Sequence, residues 1–296
     1  WGGGMEHQTN SFIVSTNESL MAHELAHQWF GDKVTCGSWQ DIWLNEGFAT
    51  YLSYFYFEKT DPAGHLNRFK NLNTSITNLT GGSVWVNDTT NVNRIFDGRL
   101  SYNKGAYVLH MLRWVLGDSL FFRGLRQYMN DPRLAYGFAR TDDLKRNLEQ
   151  ASGKNLSEFF NDWFTGQGHP SYTVKWSQNN NNWSKIKVSQ ITSHPSVTYF
   201  EMPLALKFKG GAQEKTVVVN NTMNNEIFWE DIGFKADTVL IDPDYWLLTK
   251  NNVSVKEIYI CTLDYAIESS GPRIMENWKI TNSAITLYYG LLVWDR

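Results

Sequence analysis

The sequence predicts an α+β fold in which a mainly helical domain, residues 1–168, precedes a small β-sandwich domain, residues 169–250. Apolar residues recur at helical spacing between positions 15 and 165. A cluster of turn-forming residues follows at 166–170, with the sequence GQGHP. The apolar pattern then alternates with a period of two, as in short strands that bury one face. The chain of 296 residues is long enough for two domains of this kind.

Helical patterns account for most of the first domain. The first helix has N-cap residues at 15–17 and a stop signal at Gly31. A short strand is predicted over 33–38, and residues 72–98, which are rich in Asn, Thr and Gly, are predicted to form a long loop. Helices are predicted over 15–30, 42–58, from Asp61-Pro62 onward, and over 101–116, 118–130, 141–151 and 155–165.

The second domain consists of short alternating runs separated by turn residues. Clusters of Asn or Gly at 179–182, 210–211 and 220–221 mark the turns. Short strands at this spacing favour a β-sandwich. Strands are predicted at 172–176, 186–188, 204–208, 216–219 and 239–241. Residues 251–296 form a tail to which the sequence assigns no structure.

Charge, apolar content and cysteine usage exclude several classes of protein. A net charge of −3 gives no basic footprint, which argues against nucleic acid as a partner. Thirteen Trp, 14 Tyr and 17 Phe indicate a folded chain. The longest apolar segment, 285–294, is shorter than the roughly 18 to 20 residues that a membrane span needs. Cys36 and Cys261 lie far apart, so neither a disulfide framework nor a cysteine zinc site is implied.

Residues 23–27, HELAH, form an HExxH motif on the first predicted helix. Residues four apart share a helix face, so His23 and His27 can bind one ion. Imidazole suits zinc, and a catalytic zinc keeps three protein ligands and an open water position. Glu24 is placed to accept a proton from that water. Composition alone predicts roughly 0.01 such motifs, and the alternative is a surface helix with two exposed histidines.

The third ligand is expected to be another histidine or a carboxylate, and Glu46 is the candidate. Eighteen residues separate it from His27, and it lies on the next predicted helix. Two packed helices joined by a short strand and loop can bring the three side chains together. A glutamate on a helix is more often a solvated surface charge. Here the surrounding run from Ile42 to Tyr56 is mostly apolar, where a lone carboxylate is costly unless it is paired or bound to metal.

The segments HELAHQWFGD and WLNEGFATYL resemble the M1 (gluzincin) zinc aminopeptidases, whose pattern is HExxH, eighteen residues and then Glu. The resemblance covers residues 1–166 and is weaker in the strand-rich part, which is similar to the β-sandwich domain that follows in many members. It implies a thermolysin-like catalytic domain that holds one Zn²⁺ per chain, with Glu24 as general base. The implied zinc ligands are His23, His27 and Glu46.

Two further segments resemble motifs of the same family. Residues 3–7, GGMEH, are similar to the GxMEN exopeptidase motif, in which an edge strand pairs with the substrate and the Glu binds its free α-amino group. The substrate-binding residues implied are Gly3, Gly4, Met5 and Glu6. Tyr102, in SYNKG, matches the Tyr of the family's Y-x-K-G segment, whose hydroxyl hydrogen-bonds the oxyanion. A phenol suits that task because it donates a hydrogen bond where negative charge develops.

The resemblance therefore implies a zinc-dependent aminopeptidase that acts on peptides with a free N-terminus. A carboxylate at Glu6 would select a protonated amine over an internal amide. Two alternatives stay open. A thermolysin-like endopeptidase would share the zinc ligands but have no amine-binding group at Glu6. A binding module built on an inactive peptidase scaffold would hold no catalytic metal.

The resemblance also carries expectations about the intact protein. Family members have an N-terminal β-rich domain before the GxMEN strand, and we expect one that is missing from this chain. Similarity to secreted bacterial members favours an extracytoplasmic location, periplasmic or secreted. Residues 273–278, RIMENW, resemble a degenerate second GxMENWG segment. We interpret this segment as coincidental or mis-joined, and Glu276 is assigned no role.

Overall fold

A computed structural model describes residues 2–258, 280–282 and 285–287 of the chain. Two compact units are distinguished, Trp1–Tyr259 and Ile260–Arg296. The first unit contains every predicted site residue. Its first half is a bundle of helices with two small sheets, and its second half is formed by two larger sheets.

The first half contains the predicted helices and the strand predicted over 33–38, together with two strands, Phe12–Ile13 and Gly137–Ala139, and a short helix, Val92–Ile95, that were not predicted. The strands are β1 (Gly4–Met5), β2 (Phe12–Ile13), β3 (Val34–Cys36) and β4 (Gly137–Ala139). The α-helices are α1 (Glu18–His27), α2 (Trp43–Thr60), α3 (Pro62–Thr77), α4 (Val92–Ile95), α5 (Gly105–Leu116), α6 (Asp118–Asn130), α7 (Thr141–Ser152) and α8 (Ser157–Phe160). A π-helical turn, Gly98–Lys104, leads into α5, and a second one, Asn161–Thr165, follows α8.

Helix is present at each predicted position, but the predicted loop over 72–98 is wrong at its start. Helix α3 continues to Thr77, and α4 forms a further turn inside the predicted loop. The reason is a buried stripe that the polar composition hides. Phe69, Leu72 and Ile76 recur at three- and four-residue spacing and are each no more than 3% exposed. Burial of one apolar face outweighs the weak helix propensity of the Asn and Thr residues around it.

The second half contains two antiparallel sheets, one of which is extended by a parallel strand. The strands are β5 (Pro170–Gln178), β6 (Trp183–Thr192), β7 (Met202–Gly210), β8 (Gln213–Asn221), β9 (Glu226–Asp231), β10 (Thr238–Ile241) and β11 (Val253–Lys256). One sheet has the order β11-β5-β6-β9, with β11 parallel to β5, and the other has the order β10-β7-β8. Strands β9 and β11 were not predicted from the sequence. Side chains of the two sheets meet where the rings of Trp176 and Phe208 lie 5.6 Å apart.

One hydrophobic core runs through both halves of this unit. In the helical half, Phe48 on α2 stacks on Phe30, with ring centroids 4.1 Å apart. Helices α2 and α5 approach closely because both carry glycine at the contact. A Cβ atom added to Gly47 would lie 3.0 Å from the backbone of Gly105. This close approach brings the first turn of α2 against the π-helical turn before α5.

The second unit contributes an antiparallel pair, β12 (Ile280–Asn282) and β13 (Ile285–Leu287). The RIMENW segment at 273–278 and Cys261 lie outside the described residues. Cys36 is a free thiol. Among the residues that the structure describes, no helix combines the length and apolar character that crossing a bilayer requires.

Candidate active site

Helix α1 carries both histidines of the HExxH motif on one face. The helix begins at a side-chain cap, since the Asn17 Oδ1 atom accepts hydrogen bonds from the backbone N–H groups of Ser19 and Leu20. The Nε2 atoms of His23 and His27 lie 3.1 Å apart. His27 is almost fully buried, and its Nδ1 atom donates to the backbone carbonyl of Phe30 at 3.0 Å. That bond orients the imidazole and leaves Nε2 directed at the cluster.

Glu46, in the first turn of α2, completes the cluster. Its Oε2 atom lies 3.3 Å from the Nε2 atoms of both His23 and His27. The carboxylate is buried, at 7% exposure. The sequence distance between the two helices is bridged by β3 and the turn around Trp39. The structure thus brings together the three residues that the sequence analysis named as ligands.

Charge couples these side chains strongly. Burial alone would lower the pKa of His27, but the hydrogen bond and the negative charge of Glu46 outweigh it and raise that pKa to about 9. Burial would likewise raise the pKa of Glu46, but hydrogen bonds from His23 and His27 lower it to about 2. The Glu46 carboxylate therefore stabilises positive charge on the two imidazoles. A metal cation bound between these side chains would take the place of a proton on the imidazoles.

The donor set fits a zinc ion. Ligand atoms of His23, His27 and Glu46 all lie within 4.8 Å of one another. Two imidazoles and a carboxylate are donors that zinc takes, and three protein ligands are the number found in catalytic sites. Glu6, Glu24 and His27 form a second group within the same limit. That group has one imidazole instead of two, and Glu6 lies 4.0 Å from the Nδ1 atom that already bonds Phe30.

Glu24 lies beside the cluster and keeps one carboxylate oxygen without a partner. It is 4% exposed, and within the described structure its Oε2 atom makes no hydrogen bond. Burial raises its pKa, while the neighbouring histidines act in the opposite direction. Gly4 lies directly against it, so that a Cβ atom at Gly4 would overlap the carboxylate. A buried, unpartnered carboxylate of raised pKa is suited to accept a proton.

The GGMEH segment lies along α1, with Gly4 against Glu24 and Glu6 facing His27. Strand β1 pairs antiparallel with β2, with Gly4 opposite Ile13. Gly3 has a φ angle of +89°, a backbone conformation that favours glycine. The other edge of β1 pairs with no strand among the described residues. The Glu6 side chain is one-fifth exposed and faces His27.

Tyr102 approaches the cluster from the π-helical turn before α5. Its ring stacks on the imidazole of His23, with centroids 6.1 Å apart and an angle of 10° between the planes. Burial, followed by the negative charge of Glu46, raises the pKa of its hydroxyl. The phenol therefore stays protonated and can donate a hydrogen bond at neutral pH.

A cavity of about 450 Å³ joins these groups. Of the predicted site residues, Met5 is the one that does not line it. The lining consists of Gly2, Gly3, Gly4, Glu6, Asn17, Ser19, Leu20, His23, Glu24, His27, Glu46 and Tyr102. Gly2, Asn17, Ser19 and Leu20 line the cavity but were not predicted as site residues, and neither was Gln28, which contacts the backbone at Glu6. Their sequence signal is weak because none of them belongs to a motif or to a residue type that marks this chemistry.

Comparison with known proteins places the chain in a family. Residues 6–163 match the model of the peptidase family M1 domain. An alanine/arginine aminopeptidase of Saccharomyces cerevisiae is 32% identical over 90% of this chain and 34% of its own length. A probable aminopeptidase 2 of Sulfurisphaera tokodaii is 31% identical over 77% of this chain and 32% of its own length.

The fold is similar to that of Legionella pneumophila aminopeptidase A, whose crystal structure contains aspartic acid. The TM-score is 0.65 at 21% identity, over 82% of this chain and 27% of that protein. The present chain spans about a third of the length of the curated relatives named above. The family model itself covers more than half of the chain. The chain therefore belongs to peptidase family M1.

Proposed function

We propose that the chain forms the catalytic part of a zinc-dependent aminopeptidase. The observation that carries the proposal is the convergence of His23, His27 and Glu46, with the unpartnered carboxylate of Glu24 in the same cavity. The names of the relatives, which are aminopeptidases, support the same reaction class. We assign one zinc ion per chain to the three ligands.

Each remaining group of the cavity has a chemical task in peptide hydrolysis. When bound, a zinc ion supplies Lewis-acid chemistry, polarising the scissile carbonyl and making a water molecule more acidic. Glu24 accepts the proton of the attacking water and delivers it to the leaving amine, a task suited to its raised pKa. Tyr102 donates its hydroxyl hydrogen to the oxygen on which negative charge develops.

The N-terminal strand segment determines which peptide bond is cleaved. We assign the carboxylate of Glu6 to the protonated α-amine of the substrate. Gly3 and Gly4 allow a peptide backbone to approach β1 closely, because they present no side chain to it. An amine held at Glu6 limits cleavage to the first peptide bond, which distinguishes an aminopeptidase from an endopeptidase with the same zinc ligands.

The domain arrangement is part of the proposal. Residues 1–168 correspond to a thermolysin-like catalytic domain and residues 169–250 to a β-sandwich domain that supports it. The start of the two larger sheets at Pro170 supports this boundary, and the two parts share one hydrophobic core.

The test compares a peptide with a free N-terminus with its N-acetylated form, each with and without a chelator. We expect release of the first residue from the free peptide, loss of activity with the chelator, and recovery after zinc is added. Equal cleavage of the acetylated peptide would favour the endopeptidase alternative. Protein that folds but binds no zinc and cleaves neither peptide would favour the inactive binding module.

A further inference from the structure

The side chain of Gln28 connects the catalytic helix to the strand segment that carries Glu6. Gln28 follows His27 at the C-terminal end of α1 and is half-buried. Its Nε2 atom donates to the backbone carbonyls of Glu6, at 3.2 Å, and His7, at 3.4 Å. Its Oε1 atom accepts from the backbone N–H of Thr9 at 3.0 Å. One side-chain amide thus bonds three backbone groups of a four-residue turn.

This turn has little other support. Strand β1 pairs with β2 over two residues only, and the side chains of β2 are exposed. The ring of Phe12 meets that of His7 at 5.5 Å, which joins the turn to β2 but not to α1. Thr9 has a φ angle of +63°, which is uncommon for a residue other than glycine. A local bond from the N–H of Asn10 to the carbonyl of His7 closes the turn on itself but does not connect it to α1. The hydrogen bonds of Gln28 therefore fix the distance between the backbone of residues 6–9 and helix α1.

The turn and the metal ligands meet at the same end of α1. His27 precedes Gln28 in the chain, and the Glu6 carboxylate lies 4.0 Å from the Nδ1 atom of His27. The distance between the group assigned to the substrate amine and the group assigned to the metal therefore depends on how Gln28 holds the backbone at Glu6. In an aminopeptidase that distance decides which peptide bond reaches the reacting groups.

We propose that Gln28 is a positioning residue that sets the spacing between Glu6 and the His23–His27–Glu46 cluster, and so confines cleavage to the first peptide bond. This inference rests on the proposed function, because it assigns the substrate amine to Glu6. It adds a residue that touches neither substrate nor metal and acts through the backbone of residues 6–9.

Two substitutions of Gln28 remove different sets of its hydrogen bonds. Gln28→Met keeps the approximate shape and removes all three hydrogen bonds. Gln28→Glu keeps an acceptor for Thr9 but replaces the donor by an oxygen, which faces the carbonyls of Glu6 and His7. For both variants we expect kcat/KM for a free-amine peptide to fall about tenfold while that for the acetylated peptide stays unchanged, and dipeptide products to appear.

A matched control is available in the sheets. Gln178 makes the same kind of clamp, donating to the carbonyls of Asn182 and Phe234 and accepting from the N–H of Ala236. Gln178→Met removes three comparable bonds far from the cavity. We expect it to lower the stability and to leave the ratio of the two kcat/KM values unchanged, as a purely structural loss would.

The outcomes distinguish the two claims. If the unmodified protein prefers free-amine peptides and folded, zinc-containing Gln28 variants keep that preference, the positioning role is overturned and the proposed function stands. An equal change of the ratio in the Gln178 variant would overturn it as well. If the unmodified protein shows no preference for a free amine, the assignment of Glu6 fails, and the role of Gln28 fails with it.

Discussion

Gly4 lies against the carboxylate of Glu24 so closely that no side chain fits between them. The contact joins β1, which we assign to the substrate backbone, to the residue that we assign as general base. A methyl group at this position must displace either the strand or the carboxylate. The glycine is therefore required by the active-site geometry as well as by the approach of a substrate.

The first prediction concerns this contact. Gly4→Ala should lower kcat about 10- to 100-fold, because a displacement of the base by about 1 Å is enough for a loss of that size. Zinc content should stay at one ion per chain, since none of the three ligands is touched. Gly98→Ala is a matched control outside the cavity lining, because an added Cβ there meets nothing within 4 Å. A fully active Gly4→Ala protein would show that Glu24 is not held as described.

The second prediction concerns Glu24 itself. Glu24→Gln keeps the size of the side chain but cannot accept the proton, so we expect kcat to fall by about 10² to 10⁴ while zinc remains bound. Metal analysis and steady-state kinetics on one preparation measure both quantities. Glu18→Gln, on the exposed first turn of the same helix, serves as control. Full turnover in the Glu24 variant would contradict the assignment of the base.

The third prediction concerns zinc binding and pH. The metal-free protein holds a proton on His27 up to a pKa of about 9, because Glu46 stabilises the charged imidazole. That proton must leave before the nitrogen can bind a metal. The apparent zinc affinity should therefore fall as the pH falls below about 9, by about tenfold per pH unit for one proton. Competition with a coloured chelator between pH 6 and 9 measures it.

Glu46→Gln provides the control for this pH dependence. Without the carboxylate, the pKa of His27 should fall, and the dependence should move to lower pH even though the affinity itself is weaker. An apparent affinity that does not change between pH 7 and 9 in the unmodified protein would argue against the coupling of His27 and Glu46.

The fourth prediction concerns the buried ammonium of Lys104, which lies two residues after Tyr102 in the chain. It donates to the backbone carbonyls of Gly82 and Gly166. Burial lowers its pKa to about 7, and Arg99 and Arg94 act in the same direction. Unfolding returns the amine to its ordinary pKa of 10.5. Between these values the unfolded state binds more protons, so the free energy of unfolding should rise with pH.

One proton corresponds to a slope of up to about 1.4 kcal/mol per pH unit in the free energy of unfolding. The stability gained at high pH is lost as the pH falls toward 7, and below the folded-state pKa this group no longer makes the stability depend on pH. Urea unfolding between pH 7 and 10 measures it, and Lys104→Met should remove the rise. Lys70→Met, at an exposed position on α3, should leave the rise in place. Equal slopes for the unmodified protein and the Lys104 variant would show that the buried amine does not titrate in this range.

The sequence alone determined most of the helices, five of the seven strands of the second half and the identity of the candidate ligands. Helical periodicity and the four-residue spacing of His23 and His27 are local properties, and α1 and α6 lie where the pattern predicts them. The end of α3 was predicted wrongly because the buried stripe through Leu72 and Ile76 is visible only once the helix has packed. Some of the polar residues that suggested a loop lie on the solvent-facing side of α3, and the apolar residues that hold the helix in place lie on its buried side.

Tertiary structure alone decided how these elements are held together. The overlap of Gly4 with Glu24, the close approach of Gly47 and Gly105, and the clamp from Gln28 to the backbone of Glu6 all join residues far apart in the chain. Such contacts depend on atomic positions within a few tenths of an ångström. The motif at residues 3–7 singles out Gly4 and Glu6 but does not show which atoms they meet, and no spacing singles out Gly47, Gly105 or Gln28. Local periodicity predicts which face of a helix is buried, but only packing decides which atoms meet there.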